Sequence, residues 1–165
     1  SNIKHKAILA TIYSAGLRAS EAAHLRVQDI DSDRMQIRVQ NSKGAKDRYT
    51  ILSETALTYL RQYWKLYQPE YWLFLGHRKK ISITQKGISR IFKIYKEKAG
   101  ITKQATTHTL RHSFATHLLE NGVDLHHIQL LLGHSSPEST MVYLHVKRVD
   151  LQKITSPLEI IKKKT

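Results

Sequence analysis

His108-Thr109-Leu110-Arg111-His112-Ser113-Phe114-Ala115-Thr116-His117-Leu118-Leu119 carries two patterns at once. Leu110, Phe114, Leu118 and Leu119 recur at helical spacing and predict a helix from Thr107 to about Glu120, closed by Asn121-Gly122. His108 and Arg111 stand three apart, so the same helix brings an imidazole and a guanidinium to one face, where they can address a single target. The guanidinium offers a planar fork of donors matched to phosphate oxygens, and the imidazole can donate, accept or shuttle a proton near neutral pH. Taken alone, a basic helical face is ordinarily just solvated, so the pair needs company before it means chemistry.

The flanking sequence supplies a mainly helical frame. Toward the amino end, Ile3, Ala7, Ile8 and Ile12 predict a first helix that stops at Gly16. Ser20 stands as the N-cap of a second helix running to about Arg26, with Glu21 in its first turn. Asp31-Ser32-Asp33 reads as a turn. Met35, Ile37 and Val39 then alternate with Gln36, Arg38 and Gln40 as in a half-buried strand, and Tyr49 to Leu52 returns across the Asn41–Asp47 connection to make an antiparallel hairpin. Ser53 caps a helix with Leu57, Leu60, Tyr63, Trp64 and Tyr67 as its apolar positions, ended by Pro69. Tyr71 to Leu75 is a short strand or a packed loop. Thr84 to Ala99 forms a helix with Ile88, Ile91, Phe92 and Tyr95 on one face and Gly100 as its stop. Beyond the central helix, Asp124 caps Leu125 to Leu132 before Gly133, and Ser136-Pro137 restarts a helix through Tyr143. The class is helix-dominated α+β with one small antiparallel sheet.

The 165 residues suit one compact domain, and 41% hydrophobic with 24% charged residues excludes a disordered or fibrous chain. Lys+Arg minus Asp+Glu is 27 − 13 = +14, with ten His besides, which favours a polyanionic partner, nucleic acid ahead of an anionic membrane. Cysteine is absent, which rules out disulfides, thiolate metal sites and Cys nucleophiles. No apolar run approaches the ~20 residues that span a bilayer, and no signal-peptide layout opens the chain, so a cytosolic protein is expected. Ser1-Asn2 resembles a cleavage scar, and Ile3 opens directly into helical patterning, as in a fragment of a longer protein.

Other chemistry-bearing residues sit at element ends. Arg18 falls in a turn before the second helix, Lys43 and Lys46 in the Gly-containing hairpin connection, His134 just after Gly133, and Tyr143 beyond Pro137. Each has an ordinary explanation alone: a solvated tip, a helix-terminus contact, a surface aromatic. His117, His126, His127 and His145 show no spacing that makes a metal set, and no metal or cofactor is expected.

In this order, the pieces resemble the tyrosine recombinase catalytic domain of phage integrases, Xer-type recombinases and integron integrases. The resemblance rests on Gly16-Leu17-Arg18-Ala19-Ser20-Glu21, on Ser42-Lys43-Gly44-Ala45-Lys46-Asp47-Arg48, on the His108–Leu119 stretch, on Leu132-Gly133-His134-Ser135, and on Thr140-Met141-Val142-Tyr143-Leu144-His145-Val146. It spans Arg18 to Val146 and shows no departure from the six-part catalytic pattern.

What the resemblance implies is specific. Tyr143 would attack a DNA phosphodiester, forming a 3′-phosphotyrosyl link and releasing a 5′-hydroxyl. Arg18 and Arg111 would clamp the non-bridging oxygens, and Arg111→Ala is expected to abolish cleavage while leaving the fold intact. Lys43 would protonate the departing oxygen, with Lys46 as runner-up. His108 would accept or hold the Tyr143 proton, and His134 would hydrogen-bond a phosphate oxygen. Glu21 would orient its neighbours, and His112 would take a packed, hydrogen-bonded role.

The resemblance also sets expectations for organisation. Residues 1–155 would be the catalytic domain and 156–165 a basic tail, whose Leu158, Ile160 and Ile161 either fold back on their own domain or dock on a neighbouring protomer in a synaptic tetramer. The family's amino-terminal core-binding domain would be missing, leaving weak binding to double-stranded DNA and poor recombination. The setting would be the cytoplasm, at the nucleoid, with the gene carried by a bacterium, phage or other mobile element. A type IB topoisomerase shares the logic but relaxes a single duplex, and a non-catalytic DNA-binding module is the alternative of a different class.

Overall fold

The computed structural model describes residues 2–40, 46–78, 80–133 and 154–164. Helix α1 (Ile3–Ala15) starts where the Asn2 side chain accepts the Lys4 N–H at 2.9 Å, and it ends at Gly16, whose φ of 65° is left-handed. Space as well as φ excludes a side chain there, because a Cβ on Gly16 would lie 2.5 Å from the Phe114 ring. Gly16→Ala will therefore lose about 2–4 kcal/mol of stability by urea denaturation, from left-handed strain plus overpacking. Gly100→Ala is the matched control: its φ of 67° is also left-handed, but nothing stands within 4 Å of the added Cβ, so only strain is felt.

Helix α2 (Ala19–Ala23) begins two residues earlier than expected and ends sooner. Its N-cap is Arg18, not Ser20, because the Glu21 carboxylate reaches back to the Arg18 N–H at 2.7 Å and satisfies that orphan donor itself. A 3-10 turn (Val27–Asp29) leads to β1 (Ile30–Asp31), a strand the sequence did not announce. Strands β2 (Gln36–Val39) and β3 (Arg48–Ile51) form the expected hairpin, and the sheet runs β1-β2-β3, antiparallel throughout. β2 is the middle strand, with Gln36 between Asp31 and Ile51, and Gln36 is buried although the alternation assigned it to solvent.

The remaining helices follow their caps. The Ser53 hydroxyl accepts the Ala56 N–H at the start of α3 (Glu54–Tyr67), and Gln68 closes that helix in the left-handed region before Pro69. Trp64 and Tyr67 are exposed, contrary to their place on the expected apolar face; Leu57, Leu60 and Tyr63, with Ala56, hold the helix to the core. The segment after Pro69 is a packed loop pinned by isolated bridges, Arg26 to Trp72 and Leu75 to Ser82. Helices α4 (Gln85–Lys98), α5 (Thr107–Glu120) and α6 (Leu125–Leu132) match their predicted spans, with Thr84, Thr106 and Asp124 as N-caps.

Two apolar clusters hold these elements. The larger surrounds α1 and joins Ile8, Ile12 and Leu17 to Ile37, Leu60, Tyr63, Phe74 and Ile88. The smaller packs Ile51 of β3 with Phe114 and Leu118 of α5 and Ile128, Leu131 and Leu132 of α6. The Thr50 hydroxyl donates to the Ala15 carbonyl at 2.8 Å, tying β3 to the end of α1. The helix-dominated α+β class expected from the sequence holds.

The carboxyl tail is helical. Helix α7 (Pro157–Lys164) lies against α1, α3 and α5 of its own chain. The Ser156 hydroxyl donates to the Ser14 carbonyl at 3.0 Å, and the Glu159 carboxylate accepts the Thr55 N–H at 2.8 Å in the first turn of α3. Among the described residues, no helix is long and apolar enough to cross a membrane.

Candidate active site

Three guanidinium groups from three separate elements converge on one carboxylate. Glu21, in the first turn of α2, receives the Arg48 fork at 2.7 and 2.9 Å and the Arg18 Nη1 donor at 3.0 Å, besides the Arg18 backbone N–H. Arg111 Nη1 stands 3.7 Å from its Oε2. Burial by itself would push the Glu21 carboxyl up. The Arg48 hydrogen bonds and charge, the Arg18 N–H and the Arg111 charge outweigh it and hold the group below the usual glutamate range.

The three cations differ in access. Arg18, at the mouth of α2, keeps 45% of its side chain exposed, against 12% for Arg48 and 3% for Arg111. Arg111 is anchored from beneath: it donates to the Gly16 carbonyl at 2.7 Å and to the Leu132 carbonyl at 2.6 Å, so one side chain of α5 closes the open ends of α1 and α6. Burial pulls its guanidinium down to about 10, with the Arg18 charge adding to the fall, Glu21 opposing it and Arg48 adding again. At neutral pH it remains a fixed cation. Gathering three like charges requires the central carboxylate, since unit charges ~4 Å apart repel by about 4 kcal/mol at an effective dielectric of 20.

The sequence-expected residues fall as follows. Arg18, Glu21 and Arg111 are brought together. His108 is exposed in the first turn of α5, one turn before Arg111 on the same helix. Lys43, His134 and Tyr143 lie outside the described residues, as do His145 and the helix expected after Pro137. His112 does not have the packed, hydrogen-bonded role expected of it: it is exposed, and its ring has no hydrogen-bond partner among the described residues, because α5 turns its opposite face to the core through Arg111, Phe114 and Leu118. His117 lies on α5 beside α1, where the Tyr13 hydroxyl meets its Nδ1 at 2.7 Å, and burial raises the Tyr13 phenol to about 12. Among the described residues no three His, Cys, Asp or Glu side chains gather as a metal site.

Arg48 is the site residue that sequence reasoning missed, although it closes the quoted hairpin motif. Its Nε donates to the Leu131 carbonyl at 2.9 Å while its two terminal nitrogens hold Glu21. The one available signal was its spacing from Thr50, which places a cation on the inward side of β3 beside a residue that proves fully buried. Gly133 completes the contact, since a Cβ there would lie 2.8 Å from Arg48 Cδ.

A model of the phage integrase family matches residues 1–149. A putative integrase/recombinase, y4qK, of Sinorhizobium fredii is 45% identical over 97% of this chain and 52% of its own length. The tyrosine recombinase XerD of Listeria innocua is 39% identical over 92% of this chain and 53% of its own length. Among solved structures, the crystal structure of XerA recombinase superposes with a TM-score of 0.75 at 32% identity, covering 92% of this chain and 57% of that one. The chain thus spans little more than half the length of these relatives.

Proposed function

Because the chain belongs to the phage integrase family, as the match over residues 1–149 establishes, we propose that it is the catalytic part of a site-specific DNA recombinase or integrase that works through Tyr143. The observation that carries this reading is the meeting of Arg18 and Arg111 at Glu21. That arrangement gives a permanent positive field whose most exposed member, Arg18, faces the solvent from which a phosphate would arrive.

In the proposed reaction the Tyr143 hydroxyl attacks the phosphorus of a DNA phosphodiester. The new bond is Tyr143 oxygen to phosphorus; the bond that breaks joins phosphorus to the 5′-oxygen, which leaves with a proton from Lys43. His108 takes or holds the phenolic proton, and His134 hydrogen-bonds a phosphate oxygen. Negative charge grows on the non-bridging oxygens as phosphorus becomes five-coordinate. Arg18 meets it directly and Arg111 from below, each such pairing being worth about 4 kcal/mol at ~4 Å and an effective dielectric of 20. Glu21 keeps both guanidinium groups in place.

One phosphodiester is exchanged for another of similar energy, so a 5′-hydroxyl from a second strand reseals the break with no input from ATP, and the fixed cations take the role a metal would otherwise fill. The net charge of +14 supports double-stranded DNA as the partner. Joining two duplexes requires protomers on both, which favours a synaptic tetramer; α7, held here by Ser156 and Glu159 on its own chain, is the segment proposed to move between protomers. A bacterial cytoplasm, at the nucleoid, is where such a substrate lies.

The test is covalent trapping with the full-length gene product. On a nicked duplex bearing its recombination site, the nick lets the cut fragment diffuse away, and a denaturant-stable protein–DNA adduct with a free 5′-hydroxyl is expected. DNA retention without any adduct would leave the non-catalytic binding module standing. Adduct formation with relaxation of supercoils and no joining of two duplexes would instead favour the topoisomerase-like reading.

A further inference from the structure

Resting on the recombinase reading above, we propose that Arg48 is a positioning residue for phosphoryl transfer: it holds and neutralises the Glu21 carboxylate, so that the charges of Arg18 and Arg111 are left to the phosphate. An acid at this place is otherwise a liability. A carboxylate beside two phosphate-binding cations competes with the phosphate for them and repels it as well.

The contacts show which cation Glu21 is matched to. Arg48 gives it a two-point fork, 2.7 Å to Oε1 and 2.9 Å to Oε2, whereas Arg18 reaches it through one side-chain nitrogen at 3.0 Å and Arg111 stands off at 3.7 Å. Against the burial that raises the Glu21 carboxyl, the Arg48 hydrogen bond and charge act first, ahead of the Arg18 N–H and the Arg111 charge. Arg48 is turned inward: its Nε donates to the Leu131 carbonyl at 2.9 Å, and Gly133 leaves room for its stem. Arg18, held at one point, keeps its outer side open to solvent. The three guanidinium groups and the carboxylate sum to 3 − 1 = +2. The phosphodiester enters with one negative charge, and once the Tyr143 oxygen, its proton gone, has bonded to phosphorus while the 5′-oxygen is still attached, two lie on the non-bridging oxygens. Without Arg48 the sum falls by one, Glu21 is drawn onto Arg18 and Arg111, and the charge added at the transition state goes unmatched.

The test uses the full-length protein in single-turnover cleavage of a nicked site, on two substrates. One carries the ordinary phosphodiester. In the other a methyl group replaces one non-bridging oxygen, so the site is neutral before attack and carries one negative charge at the transition state; the same bond from the Tyr143 oxygen to phosphorus forms and the same 5′-oxygen leaves. Arg48→Gln, which takes away the charge but keeps an amide donor, is expected to lower the ratio of the two rate constants, ordinary over neutral, by about tenfold. Arg48→Lys, which keeps the charge, is expected to hold that ratio within about threefold of wild type.

A merely structural Arg48 would lower the fraction of reactive protein and leave the ratio unmoved in Arg48→Gln, which would overturn the assignment. An equal fall in Arg48→Lys and Arg48→Gln would overturn it too, because charge would then not be what matters. Absence of wild-type cleavage at the ordinary site would sink the recombinase reading itself, a distinct failure. Where Arg48→Gln does not fold, or the neutral site is not cut, the double variant Glu21→Gln/Arg48→Gln decides. It removes the pair together and leaves Arg18 and Arg111 with a sum of +2, so cleavage of the ordinary site stays within about 30-fold of wild type, and a larger loss, or no folded protein, would refute the proposal.

Discussion

Glu21→Ala will cost about 3–5 kcal/mol of folding stability in urea denaturation at pH 7, because it strips the shared counter-charge from Arg18, Arg48 and Arg111. Arg48 and Arg111 are both almost wholly removed from water, so neither can recover hydration in the folded state. Their mutual repulsion, now offset by the carboxylate, would be felt in full. The loss also removes the acceptor of the Arg18 N–H and thus the start of α2. Glu21→Gln keeps shape and hydrogen-bonding capacity and will lose less, which separates charge from packing. The pH dependence has a fixed sign. The folded-state pKa of Glu21 lies below its unfolded value, so its contribution is complete above the unfolded value of ~4.3 and is lost as pH falls through the folded one. The stability gap between wild type and Glu21→Gln should therefore narrow on acidification below about pH 4.

Residues whose partners are local in sequence were legible; residues whose partners are distant were not. Ser53, Asp124, Gly16 and Gly133 announce helix ends because a cap acts within three or four positions, and each fell where expected. Ser20 failed as a cap because the cap lies two residues before it, where the Glu21 carboxylate reaches back to the Arg18 N–H. Trp64 and Tyr67 show how helical periodicity overstates a buried face when the helix has only one packed side. Arg48 lies at the far end of this scale, its role being set by Glu21 and by a carbonyl of α6. The convergence of Arg18 and Arg111 was anticipated through resemblance, yet the physical means of holding them, a partly buried carboxylate and two helix-end carbonyls, came only with the fold.

That means of holding Arg111 changes what its removal will do. Tyr143→Phe takes away a single oxygen and with it the nucleophile, so the adduct on nicked DNA should fall by at least about 10³-fold while the charges that retain DNA are untouched. Arg111→Ala should also abolish detectable cleavage, by about 10²- to 10³-fold or more as a charge-stabilising donor is lost. Unlike Tyr143→Phe, and contrary to the expectation of an intact fold, Arg111→Ala will lower stability by about 2–4 kcal/mol, because the Gly16 and Leu132 carbonyls lose their buried donor and α5 loses its tie to α1 and α6. Arg111→Lys will restore part of the stability but little of the cleavage, since one ammonium cannot serve both carbonyls and still face Glu21. Denaturation curves paired with adduct yields for the three variants check this. If Arg111→Ala melts like wild type, the carbonyl bonds contribute nothing and Arg111 serves the phosphate alone; if Tyr143→Phe still forms adduct, the nucleophile lies elsewhere and the cations at Glu21 serve another chemistry.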